Sequence, residues 1–305
     1  MDRTLDAEPR PTVNVPATTD PALTLDNVEH VYNNTVRALD GVSLDIMRGD
    51  FLAIIGKNGS GKTTLAKHFN GLLAPTNTAG TVRVHRRDGT TIPVEMTPLH
   101  KMASTVGYVL QNPDRQIFHD TCFDELAFGP RNLGVDEDDI RRRVEQTLHS
   151  TGLSGHEQTN PVHLSRGQRQ RLAIAATLTM HTEIVVIDEP TTGQDRGEAR
   201  LILDCLAECH RRGTTIVIIS HDMALVAEYA TRIVAMRNGS VLADGTPRQV
   251  FGRTDVLETT NIRPPQVTLL GTALGHPGWL TVTDAVTGLR DTPAPKPHTT
   301  EAAHR

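Results

Sequence analysis

The chain changes its rhythm of apolar and polar positions several times. Near the N-terminus, Leu23-Thr24-Leu25 and Val42-Ser43-Leu44-Asp45-Ile46 alternate apolar with polar residues. That two-residue period predicts strands with one buried face, here a small antiparallel sheet. Phe51-Leu52-Ala53-Ile54-Ile55, Ile184-Val185-Val186-Ile187 and Ile216-Val217-Ile218-Ile219 are apolar throughout. Such runs predict central parallel strands covered on both faces. Thr105–Leu110 predicts a further short strand ending at Gln111. Two pairs of short runs flank turn residues: Thr81–His85 and Thr90–Val94 around Asp88-Gly89, and Ile233–Met236 and Ser240–Ala243 around Asn238-Gly239. Both dipeptides are hairpin signals. From about 112 to 180 the pattern becomes helical, with Ile140, Val144 and Leu148 as a stripe behind the acidic turn Asp136–Asp139. Leu201–Arg212 predicts another helix. Strands alternating with helices imply an α/β core built on a parallel sheet.

The ends differ from this core. Residues 1–21 are rich in Pro, Thr and Asp without periodicity, and 291–305 carry Pro293, Pro295 and Pro297; both read as disordered tails. Between about 256 and 290, turn signals and short apolar runs such as Val267-Thr268-Leu269-Leu270 predict a small docking element. The 305 residues allow one large domain or two small ones, and a net charge of −5 argues against a polyanion-binding surface. No apolar run approaches the roughly 20 residues that span a bilayer. Met1–Asp6 carries acids and no apolar segment, so no signal peptide is expected. The chain reads as soluble and cytosolic, reaching a membrane only through a partner.

Three cysteines make no disulfide framework. Cys205 and Cys209 share a helical face; a metal pair is one reading, and a core-facing pair of small side chains is the better one, because no ligand cluster joins them. Arg141-Arg142-Arg143 could contact nucleic acid, but reads better as a solvated helix face balanced by its own acids.

The chemistry centres on Gly56-Lys57-Asn58-Gly59-Ser60-Gly61-Lys62-Thr63-Thr64, which fits the phosphate-binding pattern G-x-x-x-x-G-K-[ST]. An apolar strand precedes it and Leu65–Phe69 can continue as a helix, the context the pattern requires. The glycines let the backbone wrap closely and aim successive N–H groups at phosphate oxygens, and the helix N-terminus adds partial positive charge. Lys62 would reach the β- and γ-phosphates, and the Thr63 hydroxyl would ligate Mg²⁺. Ligands of an open parallel sheet bind beyond the carboxyl ends of its strands. Asp188-Glu189 and Ser220-His221 both follow apolar strands there. Asp188 has the position of the acid that holds Mg²⁺, and Glu189 is a candidate general base for an attacking water. His221 could sense or stabilise the γ-phosphate. Tyr32 reads on spacing alone as a half-buried strand aromatic.

Over residues 23 to about 250 the chain resembles the ATPase subunit of an ATP-binding cassette (ABC) transporter. Gly56–Thr64 resembles the Walker A motif, Ile184–Glu189 the Walker B strand with its glutamate, Gln111 the Q-loop glutamine, and His221 the switch histidine. Thr192-Gly193-Gln194-Asp195 resembles the D-loop, and Leu164-Ser165-Arg166-Gly167-Gln168 the LSGGQ signature of this family. The resemblance implies a P-loop NTPase cassette: a RecA-like parallel-sheet core, an N-terminal antiparallel β subdomain and a helical signature subdomain at about 112–180. Together these form an ATPase domain over 22–255, followed by a small C-terminal extension over 256–290 that serves as a dimer contact. It implies that Tyr32 stacks on adenine, that Gln111 helps to bind Mg²⁺, and that ATP lies between one subunit's P-loop and the signature of a second ABC ATPase. Ser165, Gly167, Gln168 and Asp195 would contact that nucleotide across the interface.

Two positions depart from the family pattern: Arg166 stands where Gly is usual, and Gln194 where Leu is usual. Arg166 would either reach across the interface or weaken closure. The run Gln111–Phe118, continued by Asp124–Gly134, is similar to the ATPases of energy-coupling factor importers, which take up vitamins and transition-metal ions. That similarity implies a transmembrane coupling protein and a substrate-binding membrane protein as partners, no nucleic acid, and a peripheral place at the cytoplasmic face of the cell membrane. The competing readings are another ABC importer ATPase, a cassette ATPase acting on ribosomes or DNA, and a P-loop small-molecule kinase. Against the last two stand the single cassette with no long coiled coil, the signature, and the Asp188-Glu189 pair.

Overall fold

A computed structural model of the protein describes residues 19–276 and 278–291. The chain runs β1 (Pro21–Tyr32), β2 (Val36–Met47), β3 (Phe51–Gly56), α1 (Lys62–Phe69), β4 (Thr81–His85), β5 (Thr91–Pro93), α2 (Leu99–Met102) and β6 (Val106–Val109). It continues through α3 (Cys122–Asn132), α4 (Glu137–Ser150), α5 (Arg166–Leu178), β7 (Ile184–Asp188), α6 (Arg196–Arg211), β8 (Thr215–Ile219) and α7 (Met223–Tyr229). It closes with β9 (Arg232–Arg237), β10 (Ser240–Gly245), α8 (Pro247–Phe251), α9 (Thr254–Thr260), α10 (Gln266–Ala273) and α11 (Val282–Asp291).

The continuous apolar runs become the middle of a six-stranded sheet of order β10-β9-β3-β8-β7-β6. Strands β9, β3, β8, β7 and β6 are parallel and β10 pairs antiparallel with β9. Period two explains why β3 has no polar position. Phe51, Ala53 and Ile55 enter the core under α5, α6 and α7, while Leu52 and Ile54 enter the opposite core with α1 and the second sheet. That second sheet is antiparallel, of order β2-β1-β4-β5, and its inward residues include Leu23, Leu25, Leu44 and Ile46. A third cluster joins α3, α4 and α5 through Leu126, Ile140, Val144, Leu148 and Leu172. The arginine run on α4 is paired with its own first turn: Arg142 and Arg143 both meet Asp139, at 3.1 and 2.8 Å. Cys205 and Cys209 pack against the main core. Among the described residues no group of three His, Cys, Asp or Glu could hold a metal, and no helix is long and apolar enough to cross a membrane.

Three expectations change. Pro21 already belongs to β1, and the rest of the expected N-terminal tail, 1–18, lies outside the described residues, as do 292–305. Helix α6 starts at Arg196, five residues before the apolar pattern shows it, because the Asp195 carboxylate caps it by accepting from the Glu198 N–H at 2.8 Å. The segment after 255 is helical. Trp279 is its small core: it stacks on His276 at 4.9 Å, and a Cβ at Gly288 would collide with its ring.

Candidate active site

The strand order decides which residues meet. The P-loop follows β3, His221 follows β8, Asp188-Glu189 ends β7, and Gln111 follows β6; these four strands are consecutive neighbours. Their carboxyl ends therefore open on one cleft of about 500 Å³, lined by Asn58, Gly59, Gly61, Lys62, Thr63, Thr64, Gln111, Glu189 and His221.

Local chemistry shapes the loop. Gly61 sits at φ 101° directly before α1, and a Cβ there would lie 2.5 Å from the Ala38 carbonyl, so only glycine fits. No side chain caps α1, which leaves its first-turn N–H groups for the cleft. The Lys62 ammonium donates to the Gly56 and Lys57 carbonyls at 2.8 and 3.1 Å, which curls the loop around it. Burial lowers its pKa below the ordinary lysine value, against the opposing pull of Glu189 and Asp188. Ser60 Oγ is buried with no partner among the described residues.

Thr63 donates its hydroxyl to Asp188 Oδ2 at 2.9 Å. Burial raises the Asp188 pKa; the Thr63 bond acts the other way, and the charge of Glu189 adds to the rise. Hydroxyl, carboxylate and the nearby Gln111 amide are all hard oxygen donors. A buried aspartate whose charge is held at a cost fits Mg²⁺, which takes one or two carboxylates and completes its shell with phosphate and water.

Glu189 is the most constrained residue of the cleft. It is not glycine, yet it holds φ 55°, a conformation that costs about 1–2 kcal/mol. Its backbone N–H donates to the Ile219 carbonyl at 3.0 Å, which anchors the turn. Gln111 Nε2 and the Thr192 hydroxyl both donate to Oε2, at 3.0 and 2.8 Å, and His221 Nε2 lies 3.0 Å from Oε1. A carboxylate fixed on both oxygens at the mouth of a phosphate-binding loop can accept a proton from a water placed against a terminal phosphate.

Tyr32 stands beside the cleft, its hydroxyl 3.3 Å from Thr64 Oγ1 and its ring edge-on to His30 at 4.5 Å. The signature does not reach this cleft. Ser165 caps α5 in a reciprocal box: the Gln168 N–H donates to its hydroxyl at 3.2 Å, and the Ser165 N–H to Gln168 Oε1 at 2.9 Å. Gly167 lies in the same first turn, and Asp195 is the cap of α6.

Two features had no signal in the pattern. Thr192 adds a third donor to Glu189. The turn after α9 brings Asn261, Ile262 and Arg263 against Gly56, Lys57, Asn58 and His221 around a cavity of about 280 Å³. Ile262 is anchored in the main core, so this approach is set by tertiary packing.

A parallel sheet whose strand ends carry a glycine loop with lysine, an Mg²⁺-compatible Thr-Asp pair and a clamped glutamate defines a P-loop nucleoside triphosphatase. The match to the ABC transporter family model covers residues 39–192 and spans both the glycine loop and Glu189. The chain belongs to the ABC transporter family and is an ABC-type ATPase, as its likeness to known ATP-binding subunits also shows. It is 40% identical over 242 residues to the energy-coupling factor transporter ATP-binding protein EcfA of Methanothermobacter thermautotrophicus, covering 79% of this chain and 76% of that one. A longer relative, an ABC transporter ATP-binding protein of Caldanaerobacter subterraneus, is 42% identical over 82% of this chain, which spans 42% of that protein's length. Among solved structures, CbiO1 of Clostridium perfringens, described as part of the ABC transporter complex CbiONQ, superposes with a TM-score of 0.69. It is 33% identical, and the match covers 83% of this chain and 99% of that one.

Proposed function

We propose that the chain is the ATP-hydrolysing subunit of an energy-coupling factor type importer, working at the cytoplasmic face of the cell membrane and powering uptake of a vitamin or a transition-metal ion. Lys62 and the α1 N-terminus bind the phosphates, and Tyr32 stacks on the adenine. Mg²⁺, held by Thr63 and Asp188 with Gln111 alongside, supplies charge neutralisation on the phosphates. Glu189 accepts the proton of the attacking water, and His221 steadies the γ-phosphate. Ser165, Gly167, Gln168 and Asp195 act on nucleotide held by a second cassette, which another copy of this chain can supply.

One observation carries the transport reading: the Gln111–Glu189 bond at 3.0 Å. It ties the hydrolytic carboxylate to a loop that ends in an exposed aromatic patch. Phe118 and Phe128, 64% and 45% exposed, meet edge-on at 5.0 Å with His119 beside them. The buried Glu125 carboxylate presents this patch by accepting from the Phe118 and His119 N–H groups at 3.1 and 3.0 Å. Large apolar rings held in water in this way favour a docking role for a membrane-embedded coupling protein. Exposed Leu269, Leu270 and Leu274 on and after α10, with Val286 and Leu289 on α11, support the C-terminal extension as a contact with the second cassette. Affinity purification of the tagged chain from detergent-solubilised membranes tests the proposal. A polytopic coupling protein, a small substrate-binding membrane protein and a second cassette are expected; ribosomal particles instead overturn the transport role.

A further inference from the structure

The two departures from the family pattern, Arg166 and Gln194, are far apart in sequence, but the fold lays the segments that carry them side by side. The Arg166 side chain passes over Gly193, where a Cβ would lie 3.7 Å from its Nε. Beside it, Gln194 Nε2 donates to the Gly167 carbonyl at 3.1 Å. Gln194 Oε1 lies 3.5 Å from Arg171 Nη1, and that same nitrogen is bound by Glu198 Oε1 at 2.7 Å. Arg171 is 6% exposed, and its charge-assisted bond to the partly exposed Glu198 joins α5 to α6. Gly167 permits the approach: a Cβ there would sit 3.1 Å from both Gln194 Oε1 and Glu198 Oε2.

The other end of this short loop is fixed to the hydrolytic residue. Thr192, two positions before Gln194, donates its hydroxyl to Glu189 Oε2 at 2.8 Å. Glu189 is thus joined to the first turn of α5 through Thr192, Gln194 and the Gly167 carbonyl. An amide bond to a carbonyl is directional, whereas the leucine usual at this position has no group to donate.

We propose that Gln194 is a positioning residue that couples this chain's own nucleotide site to its own signature, so that filling the P-loop cleft sets the orientation of Ser165–Gln168. The proposal rests on the ATPase reading above. Nucleotide and Mg²⁺ at Lys62, Thr63 and Asp188 load the turn at Glu189; Thr192 passes the displacement to Gln194, and Gln194 draws on Gly167. The signature presented to a second cassette then reports whether the first cassette is occupied.

The test is amide hydrogen exchange of the full chain, dilute enough to be monomeric, with and without Mg²⁺ and adenylyl-imidodiphosphate. Wild type, Gln194→Met and Gln194→Glu are compared. Methionine keeps the length of the side chain and loses both polar ends; glutamate keeps the Arg171 contact and loses the donor to Gly167. The analogue is expected to protect residues 56–64 in all three proteins. It should change exchange over 165–171 in wild type, and by less than half as much in both variants. In steady-state hydrolysis kcat should fall at least fivefold with KM unchanged within twofold, because no P-loop contact is altered. An equal response over 165–171 in all three proteins, or none in wild type, overturns the relay. A wild-type P-loop that gains no protection overturns the nucleotide-site reading itself.

Discussion

The two helix N-termini to which the proposed function assigns phosphate chemistry are built differently. At α1 no side chain caps the helix, and Lys62, Thr63, Asp188, Glu189, Gln111 and His221 converge on the opening from four neighbouring strand ends. At α5 the helix is closed by the Ser165–Gln168 capping box, and neither residue reaches that cleft. The first terminus has every group needed to bind, orient and cleave a phosphoanhydride. The second is a rigid presenting surface with donors and arginines and no clamped carboxylate of its own. On the function proposed above, the chain holds one hydrolytic cradle and the lid of another, and the lid would acquire its chemistry only against a second protein.

Four changes break or sharpen that contrast. Lys62→Ala strips the α1 cradle of its cation and should abolish hydrolysis and nucleotide binding, read by phosphate release and calorimetry; unchanged binding would remove the P-loop from the account. Glu189→Gln should lower turnover by about 10²-fold or more, the scale of general-base catalysis, while nucleotide affinity is kept.

Ser165→Ala acts on the lid alone. Losing the cap should cost about 1 kcal/mol of stability, seen as a small drop in Tm. Turnover should fall by tenfold or more, with nucleotide affinity of the monomer unaltered; a turnover loss no larger than the stability loss explains would make Ser165 a cap and nothing else.

Asp188→Asn separates stability from function. Burial raises the folded-state pKa of Asp188, so its ionised form opposes folding as pH rises through that range. At neutral pH the neutral isostere should leave Tm unchanged or raise it, while Mg²⁺-dependent hydrolysis is lost. A clear drop in Tm for the variant would show that the charge stabilises the fold.

Much of the cradle was legible because strand ends are legible. An unbroken apolar run such as Ile184–Ile187 shows both a buried strand and the point where it stops, and the chemistry sits one residue beyond. The glycine loop was legible because its spacing is dictated by phosphate geometry. Other parts depend on contacts that no local pattern encodes. The early start of α6 was hidden because Asp195 caps it ahead of the first apolar position. The C-terminal helices were hidden because Leu269 and Leu270 face outward and spoil the period. The approach of Arg263 to Lys57 and the Gln194–Gly167 bond join segments whose proximity exists only after the sheet is assembled. Arg166 and Gln194 could each be seen as departures from the pattern, but only the fold shows that their two segments lie side by side.

The central claim is that this chain carries a cradle and a lid for different nucleotides, and mixing tests it most directly. Lys62→Ala chains keep a sound signature and Ser165→Ala chains keep a sound P-loop. Combined in equal amounts, they should form a composite site and hydrolyse ATP at a rate well above the sum of the two measured alone. A mixture no more active than that sum would mean that the cradle works without the second signature, and the account of the two termini would be wrong.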